Sequence, residues 1–272
     1  MENKIINRDH QTANKVFDDR SLERDYATLI PLLREGLKVL DVGCGTGAIS
    51  SGIAALVGPS GTVTALDNTE KFISSGKETY KDTVNLTLIH SDLFNYQVGE
   101  KYDLIVSART LQWLSNPLEA LKKMKSMLKP GGIVSILDYN HEQLEWQPSP
   151  PESMQHFYSA FLKWRADAGM NNHIADDLAG YFREAGFQDI QVFNSDEVYE
   201  KKDPGFSARI GIWSKVANLK QIVEEGYLTE EQRLKAIEDY DQWVEDTAER
   251  MTMKLNEVRG FSFHQAPDSD HQ

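Results

Sequence analysis

Cysteine is nearly missing from this chain of 272 residues, with Cys44 the single example. One thiol cannot close an intramolecular disulfide or furnish a cysteine-based metal cluster, so a small polarizable side chain packed in its loop is the expected role. Basic residues are short as well, 29 Lys and Arg against 42 Asp and Glu, which leaves a formal net charge of −13. Phosphate backbones are held mainly by clustered Lys and Arg, and no such cluster stands out, which argues against a nucleic-acid partner. Long apolar runs are the third lack. The stretch Met1 to Asn7 has none of leader-peptide length, and nothing downstream approaches a membrane span, so a cytoplasmic protein without membrane association is expected. A chain of this size buries one good core, as one large domain or as a domain with a sizeable insertion.

What is present begins with Val39-Leu40-Asp41-Val42-Gly43-Cys44-Gly45-Thr46-Gly47. An apolar run breaking into three alternating glycines marks a buried strand that delivers a nucleotide to a helix. Without Cβ atoms the backbone can turn tightly and approach a ligand that a side chain would block. The spacing discriminates further. Dinucleotide loops use G-x-G-x-x-G with a helix N-terminus aimed at a pyrophosphate, whereas here the glycines fall at every second position behind an aspartate. Asp41 would repel a pyrophosphate and suits a cationic, hydroxyl-rich ligand.

Asp41-Val42-Gly43-Cys44-Gly45-Thr46-Gly47 resembles the first motif of the class I S-adenosylmethionine-dependent methyltransferases, and the likeness runs over about residues 36 to 140. Thr62 to Asp67 reads as the second strand; in such folds the acid at its end, here Asp67, accepts hydrogen bonds from both ribose hydroxyls, with Asn68 flanking the adenine. Leu86 to His90 looks like the third strand, followed by Ser91-Asp92-Leu93, which resembles the family's adenine clamp with an acid receiving the exocyclic amine. Tyr102 to Ser107 looks like the fourth. Ala108-Arg109-Thr110-Leu111-Gln112-Trp113-Leu114 resembles the segment whose backbone faces the methionine portion, with Trp113 on the adenine side or in the core. Lys129-Pro130-Gly131-Gly132 is the usual turn into a fifth strand over 133 to 137. The resemblance implies S-adenosylmethionine as methyl donor, S-adenosylhomocysteine as product, and a Rossmann-like, doubly wound sheet of seven mostly parallel strands.

Periodicity places the helices around these strands. Ser21 as N-cap, then Leu22, Tyr26, Leu29, Ile30 and Leu33, predict a helix over 21–34 within an N-terminal cap of residues 1–35. In many relatives such a segment folds over the active site, which draws attention to Phe17, Arg20 and Tyr26, although Tyr26 has the spacing of a core face. Helices are predicted at 48–57, 69–80 and from Asn116-Pro117 to Leu128. Pro148-Ser149-Pro150-Pro151 reads as a stiff linker before an aromatic helix ending near Ala168; another helix spans 174–185, and Phe187 to Phe193 forms a strand. Two helices, about 207–225 and 229–248, then precede a last strand at 251–258. The expected division is a donor-binding domain of residues 36–200 and 251–263, a helical insertion over 205–250 that serves as a substrate lid or a surface contact, and a disordered tail at 264–272.

Methyl transfer from a sulfonium is an in-line displacement, so the protein chiefly aligns the reacting atoms and excludes water. Where the nucleophile needs a base, His141 beyond the fifth strand is the candidate, against the plainer reading of a solvated loop histidine. Asp138 and Asn140 supply two oxygen ligands, too few to specify a metal, and none is expected. Arg109 suits a substrate carboxylate or a structural ion pair. Trp146, His156, Tyr158, Trp164 and His173 either line an aromatic pocket or pack the core. The reading is methylation of a small molecule at nitrogen, oxygen or carbon by a monomer or homodimer; the alternatives are methylation of protein or tRNA, and donor binding without catalysis.

Overall fold

A computed structural model describes Lys4, Ile6 and residues 19–262, so Phe17 and the tail from 264 lie outside the described residues. Five strands run parallel: β1 (Lys38–Val42), β2 (Thr62–Asp67), β3 (Leu86–His90), β4 (Tyr102–Ala108) and β5 (Leu128–Gln147). Strands covered on both faces read as continuous apolar runs, and Val39, Leu40, Ile105 and Val106 are all essentially solvent-free. The order across the sheet is β3-β2-β1-β4-β5-β8-β6. Chain direction therefore reverses its course between β1 and β4, the switch point where open α/β sheets bind ligands at their carboxyl ends.

Among the described residues there are eight strands rather than seven. β6 (Gln188–Asn194) and the additional β7 (Glu197–Glu200) both pair antiparallel with β8 (Arg250–Phe261). Twelve residues make β8 long enough to hold β6 along its second half and β7 along its first, and β5 continues to Gln147 because β8 pairs with it as far as Arg250. The fifth strand thus outruns its expected end at 137 by a full hairpin's length. Near its start, Tyr102 pairs with Leu128 and Leu104 with Ile133, so the Pro130-Gly131 turn is absorbed as a bulge.

Helices cover both faces. On one lie α4 (Pro117–Ser126) and α6 (Ile174–Glu184), whose Leu121, Met124, Leu178 and Phe182 pack with Leu40, Ile105 and Ile136. On the other lie α2 (Ala48–Val57) and α5 (Glu152–Asp167), in a core that also takes in the insertion. α3 (Glu70–Thr79) follows β2 and sends Ile73 to Ala65 and Leu88. No helix among the described residues is long and apolar enough to cross a membrane.

Two helical expectations change. The predicted helix at 21–34 is split into α1 (Leu22–Asp25) and a 3-10 turn over Ala27–Leu32. Tyr26 leaves helical geometry at φ −151°, placing its hydroxyl 2.7 Å from Ser135 Oγ under the sheet, and Pro31 has no N–H to give a longer helix. In the insertion, the single helix expected at 207–225 is three short ones, α7 (Phe206–Ile210), α8 (Ile212–Ala217) and α9 (Gln221–Glu224), broken at Gly211 and again after Ala217. α10 (Glu230–Asp246) forms as expected, started by Thr229 and Gln232 in a reciprocal capping box. Its Ala236, Tyr240 and Trp243 share a core with Phe157, Phe161 and Trp164 of α5, which makes the insertion part of the body rather than an appendage.

Gly76 shows how closely α3 approaches the glycine loop. A Cβ at this position would lie 2.2 Å from the Thr46 carbonyl oxygen, a backbone atom that cannot swing aside. Glycine inside a helix costs about 1 kcal/mol relative to alanine, so its use here reflects contact rather than propensity. We expect Gly76→Ala to destabilise the fold by about 1–3 kcal/mol despite its better helix propensity. Denaturant unfolding checks this, and an unchanged or raised midpoint would show that α3 is free to move off the loop.

Candidate functional site

The glycine loop is shaped by what stands next to it. Gly43 (φ 75°) and Gly47 (φ 89°) occupy the left-handed region, and a Cβ on Gly43 would sit 2.1 Å from Thr110 Oγ1. The N–H groups of Gly43 and Cys44 both donate to the Leu66 carbonyl, at 2.8 and 2.9 Å, tying the loop to the end of β2. Asp67 completes the tie. Its Oδ2 accepts from the Gly45 N–H at 2.9 Å and its Oδ1 from the Thr69 N–H at 2.8 Å. Each carboxylate oxygen retains a lone pair for a ligand.

Asp67 stands at the wall of a cavity of about 800 Å³, within the range of cofactor pockets. Gly43, Asn68, Asp92, Leu93, Ala108, Arg109 and Trp113 line the same space. Asp92 accepts the Phe94 N–H on Oδ1 at 2.8 Å, which leaves Oδ2 available to an amine. Past Gly43 and Ala108 lies a narrow recess of about 20 Å³ lined by Asp41 and Cys44. Ten of the thirteen residues singled out for the cofactor thus border one continuous region. Gly45 and Gly47 stand behind it, one donating to Asp67 and the other starting α2. An elongated ligand with a diol near Asp67, an amine near Asp92 and a cationic end toward Asp41 matches this donor set, and S-adenosylmethionine has those groups.

Burial tunes the recess. It pushes the Asp41 carboxyl up to about 6 against the Ser50 hydroxyl, which donates at 2.6 Å, while Asp67 adds a further upward push. The Cys44 thiol is driven well above its usual range by burial and by both aspartates, so it stays protonated and is no nucleophile.

Two expectations are corrected. Tyr26 borders neither cavity; it is 1% exposed and spends its hydroxyl on Ser135, which makes it a core residue. His141 is neither a solvated loop residue nor a base facing the cavity. It lies within β5, bonds Gln112 Oε1 through Nε2, and packs among Tyr139, Phe161 and Trp213 with ring centroids 5.3 to 6.1 Å away. Burial, reinforced by Arg165, holds its pKa well below the usual histidine value, so it is a neutral packing residue. Trp146 of β5 with Tyr158 and Phe161 of α5 meet Trp213 of the insertion edge to face, and Trp146 and Tyr158 also line a separate cavity of about 670 Å³. His156 and His173 are outside the core, His173 lying between Glu142 and Asp177.

The residues that organise the turn after β4 were not legible in the sequence. Arg165 is fully buried in α5, donates to the Gln112 carbonyl at 2.9 Å and to Asn172 Oδ1 at 2.8 Å, and lies 4.8 Å over the Trp113 ring. Asp138 accepts the N–H groups of Gln112 and Tyr139, both at 3.0 Å, and burial raises its pKa to about 6. Asn140 donates to Asp176, and no group of three or more His, Cys, Asp or Glu among the described residues is placed to hold a metal. Arg109, at φ 58°, holds a strained conformation next to the cavity. Its Nε donates to the Tyr139 hydroxyl at 2.7 Å, and Nη2 pairs with Glu197 of β7. The ion pair is one of the two readings of Arg109, but its partner, 88 positions away in sequence, carries no signal that would identify it.

Comparison with known proteins agrees with this geometry. Residues 33–204 match the family described as "Methyltransferase domain". Demethylmenaquinone methyltransferase of Staphylococcus aureus is 30% identical over 178 residues, which cover 59% of this chain and 71% of that protein. Haemonchus contortus phosphoethanolamine N-methyltransferase 2, solved with phosphomonomethylethanolamine and S-adenosylhomocysteine, is similar over 93% of this chain with a TM-score of 0.53 and 16% identity. This chain spans 53% of that protein's length. The [4+2]-cyclase SpnF is similar at a TM-score of 0.53 with 17% identity, over 93% of this chain and 82% of its own. At such identities the two structures speak to the fold alone.

Two outcomes are expected. The raised Asp41 pKa means that the native state holds this proton more tightly than the unfolded chain, so its contribution to stability is full below about pH 4 and is lost as pH rises to about 6. Asp41→Asn, which can still accept from Ser50, should therefore gain roughly 1–3 kcal/mol over the parent at pH 8 and much less at pH 4.5, while binding donor more weakly. Urea titrations at both pH values read this, and an equal gain at each would refute it. His141→Ala should cost about 2–4 kcal/mol of stability and leave donor affinity within a few-fold; a stable variant with lost turnover would restore the base assignment.

Proposed function

The chain belongs to the methyltransferase-domain family, as a class I S-adenosylmethionine-dependent methyltransferase, and from that premise we propose that it methylates a small-molecule acceptor by in-line displacement at the Ala108–Arg109 end of the large cavity. When bound, S-adenosylmethionine supplies a methyl group on a sulfonium, whose positive charge makes sulfur a ready leaving group. The carrying observation is Asp67, 6% exposed and fixed on both oxygens by backbone N–H groups at the cavity wall. We assign it the ribose hydroxyls, Asp92 the adenine amine, and Asp41 the attraction of the cationic end.

A second cavity of about 340 Å³ meets the first at Arg20 and Arg109, and we assign it to the acceptor. Its size favours a small molecule over a macromolecular segment. α7 and α8 of the insertion line it together with Tyr139 and Tyr199, so residues 205–250 act as a lid that keeps water from the reacting atoms. Holding nucleophile, carbon and sulfur in line is worth on the order of 7–11 kcal/mol, enough that no base need be built. Tyr139 does not supply one, because burial pushes its pKa up to about 12.

Asp67→Ala tests the donor assignment. Removing hydrogen bonds to a charged acceptor should weaken S-adenosylhomocysteine by about 10- to 100-fold in calorimetry, after correction for any loss of folded protein. Undiminished affinity would eliminate the ribose role. For the acceptor, methyl-labelled donor incubated with a metabolite extract should yield a labelled small product, and label confined to protein or RNA would overturn the small-molecule reading.

A further inference from the structure

The walls of the second cavity reverse the charge balance of the chain. Arg20, Arg24, Arg109, Arg209 and Lys215 face Asp19, Asp25 and Glu197, five cations to three acids, in a protein whose acids outnumber its bases 42 to 29. Two of the three acids are already engaged. Asp25 pairs with Arg24 at 2.8 Å and Glu197 pairs with Arg109, while Asp19 is exposed. Arg209 and Lys215 form no ion pair among the described residues; Arg209 rests over the Tyr199 ring at 5.7 Å. Arg109 adds a second, independent sign. It is 5% exposed, its Nε and Nη2 are bonded, and its Nη1 has no hydrogen-bond partner among the described residues. A buried donor without a partner is unfavourable, and a ligand oxygen removes that cost.

We propose that this cavity selects an acceptor carrying a carboxylate or phosphate, with Arg109, Arg209 and Lys215 as the anion-recognising residues. The proposal rests on the methyl-transfer reading above and supplies its substrate class. Planar guanidinium groups and a flexible ammonium lining one small space suit an oxyanion with several acceptor lone pairs. The anion also answers an electrostatic need. Burial and the neighbouring Arg109 both depress the Arg20 guanidinium pKa, and a sulfonium next door adds a further positive charge. A negative acceptor group offsets all of these. Tyr139 and Tyr199 offer ring surface to the remainder of the molecule.

The donor carries a carboxylate of its own, and Arg20 and Arg109 border both cavities, so the decisive residues are the two that border only the second. Calorimetry on the full chain saturated with S-adenosylhomocysteine compares benzoate, phenyl phosphate and uncharged benzamide at fixed ionic strength. One or both anions should bind about tenfold or more tightly than benzamide, and the better of the two identifies the headgroup. In Arg209→Gln/Lys215→Gln, whose altered side chains are not buried, that preference should fall about tenfold or more with S-adenosylhomocysteine affinity and thermal midpoint unchanged. Anions binding no better than benzamide, including no binding by any, overturn the proposal, as does an undiminished preference in the double variant. Loss of S-adenosylhomocysteine affinity in that variant also overturns it, by assigning the charges to the donor. Failure of the parent protein to bind S-adenosylhomocysteine at all strikes instead at the donor reading.

Discussion

One carboxylate ties the glycine loop to the sheet, and much of the site takes its shape from that tie. Asp67 closes β2, accepts the Gly45 N–H with one oxygen and the Thr69 N–H with the other, and thereby sets the loop after β1 against the start of α3. Backbone amides are obligatory donors, and inside a crowded loop they need an acceptor at a defined place. A charged acceptor bonds them more strongly than a neutral one would. The same group is thus the structural anchor of the loop and the proposed ribose contact.

A second level of organisation lies below the cavity floor. Arg165, Asp138, Gln112 and Asn172 form a buried polar group that fixes the turn after β4, and Arg109 leaves that turn in a left-handed conformation to meet Tyr139 and Glu197. Buried polar groups are tolerated when their bonds are satisfied, and here the turn gives the Gln112 N–H to Asp138 and the Gln112 carbonyl to Arg165. Arg109, with Arg20, borders both cavities. Its position depends on β7, the short strand that the extra length of β8 makes possible. The insertion follows β7 directly, so the strand that positions Arg109 also launches the helices that close the other side of the space.

The insertion is also where the reading of the chain was weakest. Helical periodicity over 207–225 was real, yet Gly211 and the turn after Ala217 divide it into three, because tertiary contacts of Ile210, Trp213 and Ile222 with the α5–α10 core outweigh the modest propensity of a short helix. Tyr26 and His141 failed for a related reason. Both have chemistry-bearing side chains at positions where the family places ligands, and both point their polar atoms into buried bonds with Ser135 and Gln112. Nothing in a linear pattern distinguishes a hydroxyl or imidazole facing a cavity from one facing a neighbour across the sheet.

What the linear sequence determined by itself was the set of interactions between residues near one another or governed by period: the alternating glycines, the apolar runs of buried parallel strands, the acid at the end of β2, and helix starts such as those at Ser21 and Pro117. These are dictated by backbone sterics and burial, which a few adjacent residues suffice to express. Only the tertiary structure decided the second cavity, the pairing of Arg109 with Glu197, the eighth strand, and the placement of Arg209 and Lys215 in one cavity with Tyr139. Those depend on residues separated by scores of positions being brought within a few ångströms, and side-chain electrostatics acts through that distance in space rather than along the chain.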